Sequence, residues 1–304
     1  MLDIRRRLST GSMAAICALG LACGSAPEEA ETPLAESAPA AAPEPMTAAA
    51  PLPPTEDTAL DRLNTSPRHG EWVDVTLPGS DMPISTWVVY PEVSDPAPIV
   101  LVIHEIYGLT DWVRGVADQF AAEGFIAVAP DLLSGMGPDG GGTDSLGERD
   151  NVVATIRTLE PDERGRRLDA VRAYALDIPA GNGRIGSVGF CWGGTASFAY
   201  AVSQPALDAA VVYYGTSPAE ASEYAQINAP VLGLYGGNDE RVNATIPTAE
   251  DAMAEGNKPF EPNIYEGAGH GFLRAQLGQD GANMAATEQA WPRTLAFFRE
   301  HLGE

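Results

Sequence analysis

The strongest constraint on this chain is a six-residue run, Gly189-Phe190-Cys191-Trp192-Gly193-Gly194. Residues 185–190 before and through its start read as a buried strand, and residues 194–202 read as a helix. A strand that becomes a helix this quickly leaves no space for Cβ atoms beside the turn, so glycine recurs there and one side chain is pushed out at the apex. That strand–turn–helix context is the one a nucleophile elbow requires, and here the projecting group is a thiol. The start of a helix is expected to lower a thiol from its usual pKa of ~8.5 and so favour the reactive thiolate.

The rest of the chain supplies a matching framework. Residues 72–77, 84–90, 99–103, 125–129, 209–214, 231–235 and 263–265 have strand character. Residues 112–122, 162–176, 245–254 and 285–301 have helical periodicity, and 134–150, rich in Gly and Asp, reads as a loop. The run 99–103 is almost wholly β-branched, as expected of a strand covered on both faces. Strands alternating with helices of ~10–15 residues predict an α/β architecture: a mostly parallel central sheet flanked by helices on both faces. No second linker interrupts it, so one domain over 69–304 is expected.

Two further polar residues follow predicted strands. Asp239 ends Gly236-Gly237-Asn238-Asp239, and His270 lies in Gly267-Ala268-Gly269-His270-Gly271-Phe272. Nucleophile, acid and base in that chain order match the α/β-hydrolase arrangement, in which the acid orients the imidazole and the imidazole exchanges protons with nucleophile and leaving group. An Asp at a loop start is also a common turn former, and a single His is often structural. The bland readings weaken because both residues fall at the carboxyl edge of the sheet, where such sheets bind ligands. His104-Glu105-Ile106-Tyr107-Gly108 follows the strand 99–103. It is placed to give the Ile106 N–H to an oxyanion hole, with the Trp192 N–H as the second donor. Glu105 by itself could be a solvated loop acid.

The set His104–Gly108, Gly189–Gly194, Gly236–Asp239 and Gly269-His270-Gly271-Phe272-Leu273-Arg274, in order from about 71 to 302, resembles the dienelactone hydrolase family of α/β-hydrolases. The resemblance implies a triad of Cys191, Asp239 and His270. It implies that Glu105 helps deprotonate the thiol, and that Arg274 pairs with Glu105 at rest and binds a substrate carboxylate. A second carboxylate-binding arginine would lie before the helix that precedes the elbow; Arg157, Arg164, Arg166 and Arg167 are all near, and none is singled out. The activity implied is hydrolysis of a carboxylic ester or enol-lactone through a thioester acyl-enzyme. A broad-specificity exported carboxylesterase, or a catalytically silent surface binding protein on the same fold, are the competing readings.

Composition bounds the partners. With 42 acidic against 18 basic residues, the formal net charge is −24; nothing resembles a basic patch, so nucleic acid is disfavoured. No metal-ligand cluster or phosphate loop is seen, so neither metal nor cofactor is expected. The partner implied is a small ester or lactone, with no protein partner. The N-terminus carries Arg5, Arg6 and Arg7, an apolar stretch 13–22, and then Cys23. This pattern predicts a signal peptide over 1–22, too short to span a bilayer, and resembles a lipoprotein signal with Cys23 as the lipidated residue. Export, with periplasmic or outer-membrane anchoring, is the expected localisation. Residues 23–68, rich in Ala, Pro and Glu, predict a disordered spacer. Cys191 would then be the sole thiol of the folded domain, which precludes a disulfide within it.

Overall fold

The computed structural model describes residues 51–303. The strands are β1 (Gly70–Val75), β2 (Ile84–Val89), β3 (Ala97–Ile103), β4 (Ile126–Pro130), β5 (Gly181–Phe190), β6 (Ala209–Tyr213), β7 (Val231–Gly236) and β8 (Phe260–Tyr265). They form one sheet in the order β1-β2-β4-β3-β5-β6-β7-β8. β2 runs antiparallel to β1 and β4, and the remaining neighbours pair in parallel. The helices are α1 (Ala59–Asn64), α2 (Asp111–Ala122), α3 (Arg149–Ile156), α4 (Pro161–Leu176), α5 (Trp192–Ser203), α6 (Glu240–Asn243), α7 (Ile246–Glu255) and α8 (Ala282–Leu302).

β3 shows why this sequence makes a doubly covered sheet. Its side chains alternate between faces, so Ile99, Leu101 and Ile103 enter one core while Val100 and Val102 enter the other. The first core is closed by residues of α4, α5 and α7, including Leu168, Val171, Phe198, Ile246 and Met253. The second is closed by α1, α2 and α8, through Ala59, Trp112, Phe120, Trp291 and Phe298. With apolar residues on both faces, no alternation of apolar and polar residues is needed, and the strand reads as a continuous apolar run. The chain leaves β3 through α2 to β4 on one side, then crosses through α4 to β5 on the other. The crevice beyond the carboxyl ends of β3 and β5 is therefore the switch point where open sheets of this kind bind ligands. The fold is that of an α/β-hydrolase.

The expected strands are all present, β5 and β8 beginning earlier than the apolar pattern suggests. Three short helices, α1, α3 and α6, were not expected. The larger difference is at the amino-terminal edge. Residues 51–68, expected as part of the spacer, lie on the domain: Pro53 and Pro54 are buried, and α1 rests on α2. Apolar burial and hydrogen bonds both attach them. The indole N–H of Trp112 donates to the Pro54 carbonyl at 2.9 Å, and the Gln276 side-chain amide donates to the Pro53 carbonyl at 3.0 Å. Arg62 donates to the Leu52 carbonyl at 2.8 Å. Gly115 in α2 makes room, since a Cβ there would meet Pro54 Cγ at 2.8 Å. The signal stretch, Cys23 and the spacer up to residue 50 lie outside the described residues. Among the described residues no helix is long and apolar enough to cross a membrane.

Candidate active site

Cys191 sits at the junction of β5 and α5 with φ 57° and ψ −115°. A non-glycine residue in that conformation costs of order 1–3 kcal/mol and persists only where its surroundings over-determine it. The flanking glycines show how tight those surroundings are. A Cβ on Gly189 would fall 1.8 Å from the Gly193 carbonyl oxygen, and one on Gly193 would fall 2.3 Å from that of His104. The elbow is thus pressed against the end of β3. Gly108 donates its N–H to the Glu105 carbonyl at 3.1 Å, closing the turn that carries Glu105 and Ile106. Thr143 fastens the same loop from outside: its hydroxyl accepts from the Leu109 N–H at 3.1 Å and donates to Asp131 at 2.7 Å. His104, wholly buried and stacked on Trp192, is kept neutral by burial. Its Nε2 accepts from the Leu132 N–H at 3.1 Å, so Nδ1 carries the proton and donates to the Glu105 carbonyl at 2.8 Å.

The backbone N–H groups of Ile106 and Trp192 both face the Cys191 sulfur and favour its thiolate. They do not prevail. Burial, and next the negative charge of Glu105, raise the thiol above its ordinary pKa. The expectation that the helix start would leave a lowered thiol is corrected here, because the local helix effect is outweighed by desolvation and by a carboxylate from a distant segment. Glu105 is 3% exposed, and burial pushes it up to about 7 against the opposing pull of Arg274. Arg274 Nε lies 2.8 Å from Glu105 Oε2.

Asp239 follows β7 and is buried, while His270 follows β8 with its side chain 35% exposed. Asp239 Oδ2 and His270 Nδ1 are 2.5 Å apart, so Nδ1 carries the proton and donates a hydrogen bond to the carboxylate, leaving Nε2 free to exchange protons. Cys191, Glu105, Asp239 and His270 thus all leave the carboxyl ends of strands on one edge of the sheet. Two residues near them carried no signal in the sequence. Tyr214 follows β6 with φ 39°, its ring edge-on to His270 at 5.1 Å. Its buried hydroxyl, which has no hydrogen-bond partner among the described residues, is held protonated first by burial and then by the charge of Glu105. Arg149, at the start of α3, shares the carboxylate of Glu56 with Arg274. Three of the arginines weighed from the sequence have partners of their own. Arg167 donates to the Leu132 and Ser134 carbonyls, Arg166 pairs with Glu163, and Arg164 lies over the Trp192 ring at 5.6 Å. Among the described residues no group of three potential ligands could hold a metal ion.

The profile of the dienelactone hydrolase family matches residues 84–302. A Salmonella typhimurium protein carrying the provisional name carboxymethylenebutenolidase is 33% identical over 238 residues, covering 74% of this chain and 85% of its own. A similarly named protein of Saccharolobus solfataricus is 31% identical over 251 residues, covering 71% and 93%. The crystal structure of a protein from Klebsiella pneumoniae, provisionally described as a dienelactone hydrolase, superposes with a TM-score of 0.68 at 26% identity. It covers 77% of this chain and 99% of its own. The chain belongs to the dienelactone hydrolase family and is a hydrolase.

Proposed function

We propose that the protein hydrolyses a carboxylic ester or enol-lactone through a covalent thioester on Cys191. The observations that support this are a thiol on a strained elbow faced by two backbone N–H groups, and a His–Asp pair on the same carboxyl edge of the sheet. Glu105, with a pKa of about 7, is matched to accepting the thiol proton near neutrality. The thiolate attacks the ester carbonyl carbon, and the charge that builds on the carbonyl oxygen is met by the N–H groups of Ile106 and Trp192. As the tetrahedral centre collapses, the C–O bond breaks and the proton released by Cys191 ends on the departing alkoxide. In a lactone that alkoxide stays tethered to the acyl group. Water, with His270 as its base, then attacks the thioester; the carboxylic acid leaves and a proton returns to sulfur. Arg274, beside Glu105, is the cation able to bind an anionic substrate group. We further propose that residues 1–22 direct export and that Cys23 is the point of lipid attachment.

The test of the mechanism is Cys191→Ala, assayed with neutral aryl esters and lactones and by mass spectrometry after an activated ester. Wild type should take up one acyl group on Cys191, and the variant should show neither acylation nor turnover. Retained turnover in the variant would remove Cys191 from the mechanism.

A further inference from the structure

Arg274 serves two carboxylates. Its Nε faces Glu105 at 2.8 Å, and its terminal nitrogen pairs with Glu56 from the amino-terminal segment. The other oxygen of Glu56 pairs with Arg149. The ring of Tyr107 lies against both guanidiniums, 4.7 Å from that of Arg149 and 5.7 Å from that of Arg274. Although partial burial alone would raise it, the two arginines hold Glu56 below the usual carboxylate range. Nor is this a chance surface contact of a loose tail. The Glu56 N–H donates to the Arg274 carbonyl at 3.2 Å, and the residues just before it are fixed by Trp112 and Gln276 and fitted over Gly115. Two guanidiniums therefore face two carboxylates, and the local charge is already balanced. A carboxylate on a substrate would be a third anion on two cations unless Glu56 withdrew.

We propose that Glu56 is a specificity-determining residue: it fills the anion seat formed by Arg149 and Arg274, so the enzyme favours neutral esters and lactones over those bearing a carboxylate. This rests on Cys191 being the nucleophile beside that seat. Glu56 lies outside the segment over which the family profile matches, so relatives need not share the filled seat.

The test uses the full chain and a matched pair of substrates, the 4-nitrophenyl monoester of adipate and its methyl-capped neutral counterpart. The quantity read is the ratio of kcat/KM on the anionic ester to that on the neutral one. Glu56→Gln keeps the shape of the strap and removes its charge. It should raise that ratio roughly ten- to hundredfold, the range of a hydrogen bond to a charged group. Adding Arg149→Ala should return most of the gain. A second reading does not depend on turnover. On a Cys191→Ala background, calorimetric titration with monomethyl adipate should show saturable binding with Glu56→Gln and little without it. If Glu56→Gln, melting as a folded protein, leaves both the ratio and the titration as in wild type, Glu56 does not fill the seat. Turnover surviving Cys191→Ala would instead strike the nucleophile assignment, while the titration would still report on Glu56.

Discussion

The sulfur of Cys191 is held between opposing influences, and their balance sets what the resting enzyme does. Two N–H groups favour the thiolate, but burial and the Glu105 charge outweigh them, so at neutral pH the thiol stays protonated. A protonated thiol is slow to alkylate and to oxidise. In a Cys17→Ser/Cys23→Ser variant, where Cys191 is the only thiol, the midpoint for iodoacetamide labelling should lie above pH ~8.5. Glu105→Gln should lower that midpoint, because it removes a neighbouring negative charge. A midpoint that rises or stays put would show that Glu105 does not act on the sulfur. The same residue sets the pH dependence of catalysis. With a pKa of about 7, Glu105 becomes available as a base as pH rises, so kcat/KM should climb through neutrality. Glu105→Gln should abolish that limb and lower the rate ~10²–10⁴-fold, as loss of a proton-transfer group does. At this scale the sequence was informative about identity and silent about energetics. Glycines around Cys191 announce a tight turn, whereas the direction of the thiol shift depends on burial by the folded chain and then on Glu105, which lies 86 positions away. Tyr214 and Arg149 were illegible for a related reason: neither lies in a motif, and each reaches the site only through the pairing of strands or the start of an unforeseen helix.

Among the elements, the turn from β5 into α5 is the least tolerant. Its Gly193 lies so close to the end of β3 that a methyl group would meet two carbonyl oxygens, those of His104 and Ile103, at 2.3 and 2.4 Å. Backbone cannot yield as a flexible side chain can. Gly193→Ala should therefore cost at least the ~1–3 kcal/mol typical of overpacking. It should also displace the Ile106 N–H from the sulfur, lowering kcat more than it raises KM. A variant with wild-type melting temperature and kcat would mean the contact relaxes freely. The long strands and helices were readable because each buries an unbroken apolar run or stripe, as β3 and α2 do. α1, α3 and α6 were not, because they run to only six, eight and four residues, with few buried positions each. Such helices are marginal by propensity and are held by tertiary contacts that no local pattern records.

For the molecule as a whole, the amino-terminal boundary has the largest consequences. If residues 1–22 are a lipoprotein signal, Cys23→Ser should move the protein from the membrane fraction to the soluble fraction, and an unchanged distribution would exclude lipidation at Cys23. Composition places the start of the domain near residue 69, yet the packed chain already includes residue 52. The difference arises because Ala, Pro and Glu look unfit to build a core, while the segment needs only to lie on a core others have built. Its carbonyls satisfy Trp112 and Gln276, and its last residues neutralise a buried acid. Asp118 is 6% exposed and pairs with Arg68, while Ser66 donates to it at 2.6 Å. A chain beginning at 69 would lose both of those partners together with the apolar cover from Leu52, Pro53, Pro54 and Ala59. A buried charge stripped of its partner costs about 3–5 kcal/mol, an amount that solvent entering the vacated space would reduce. The lost apolar burial adds roughly 1.5–3 kcal/mol for each large side chain. A net loss of roughly 4 kcal/mol would lower the melting temperature by about 10 °C in a domain of this size. A chain beginning at 51 should melt close to the full-length protein. It should also keep the preference for neutral esters that Glu56 confers, and the shorter chain should lose that preference along with its stability. Equal melting temperatures for the two truncations would return residues 51–68 to the role of a spacer.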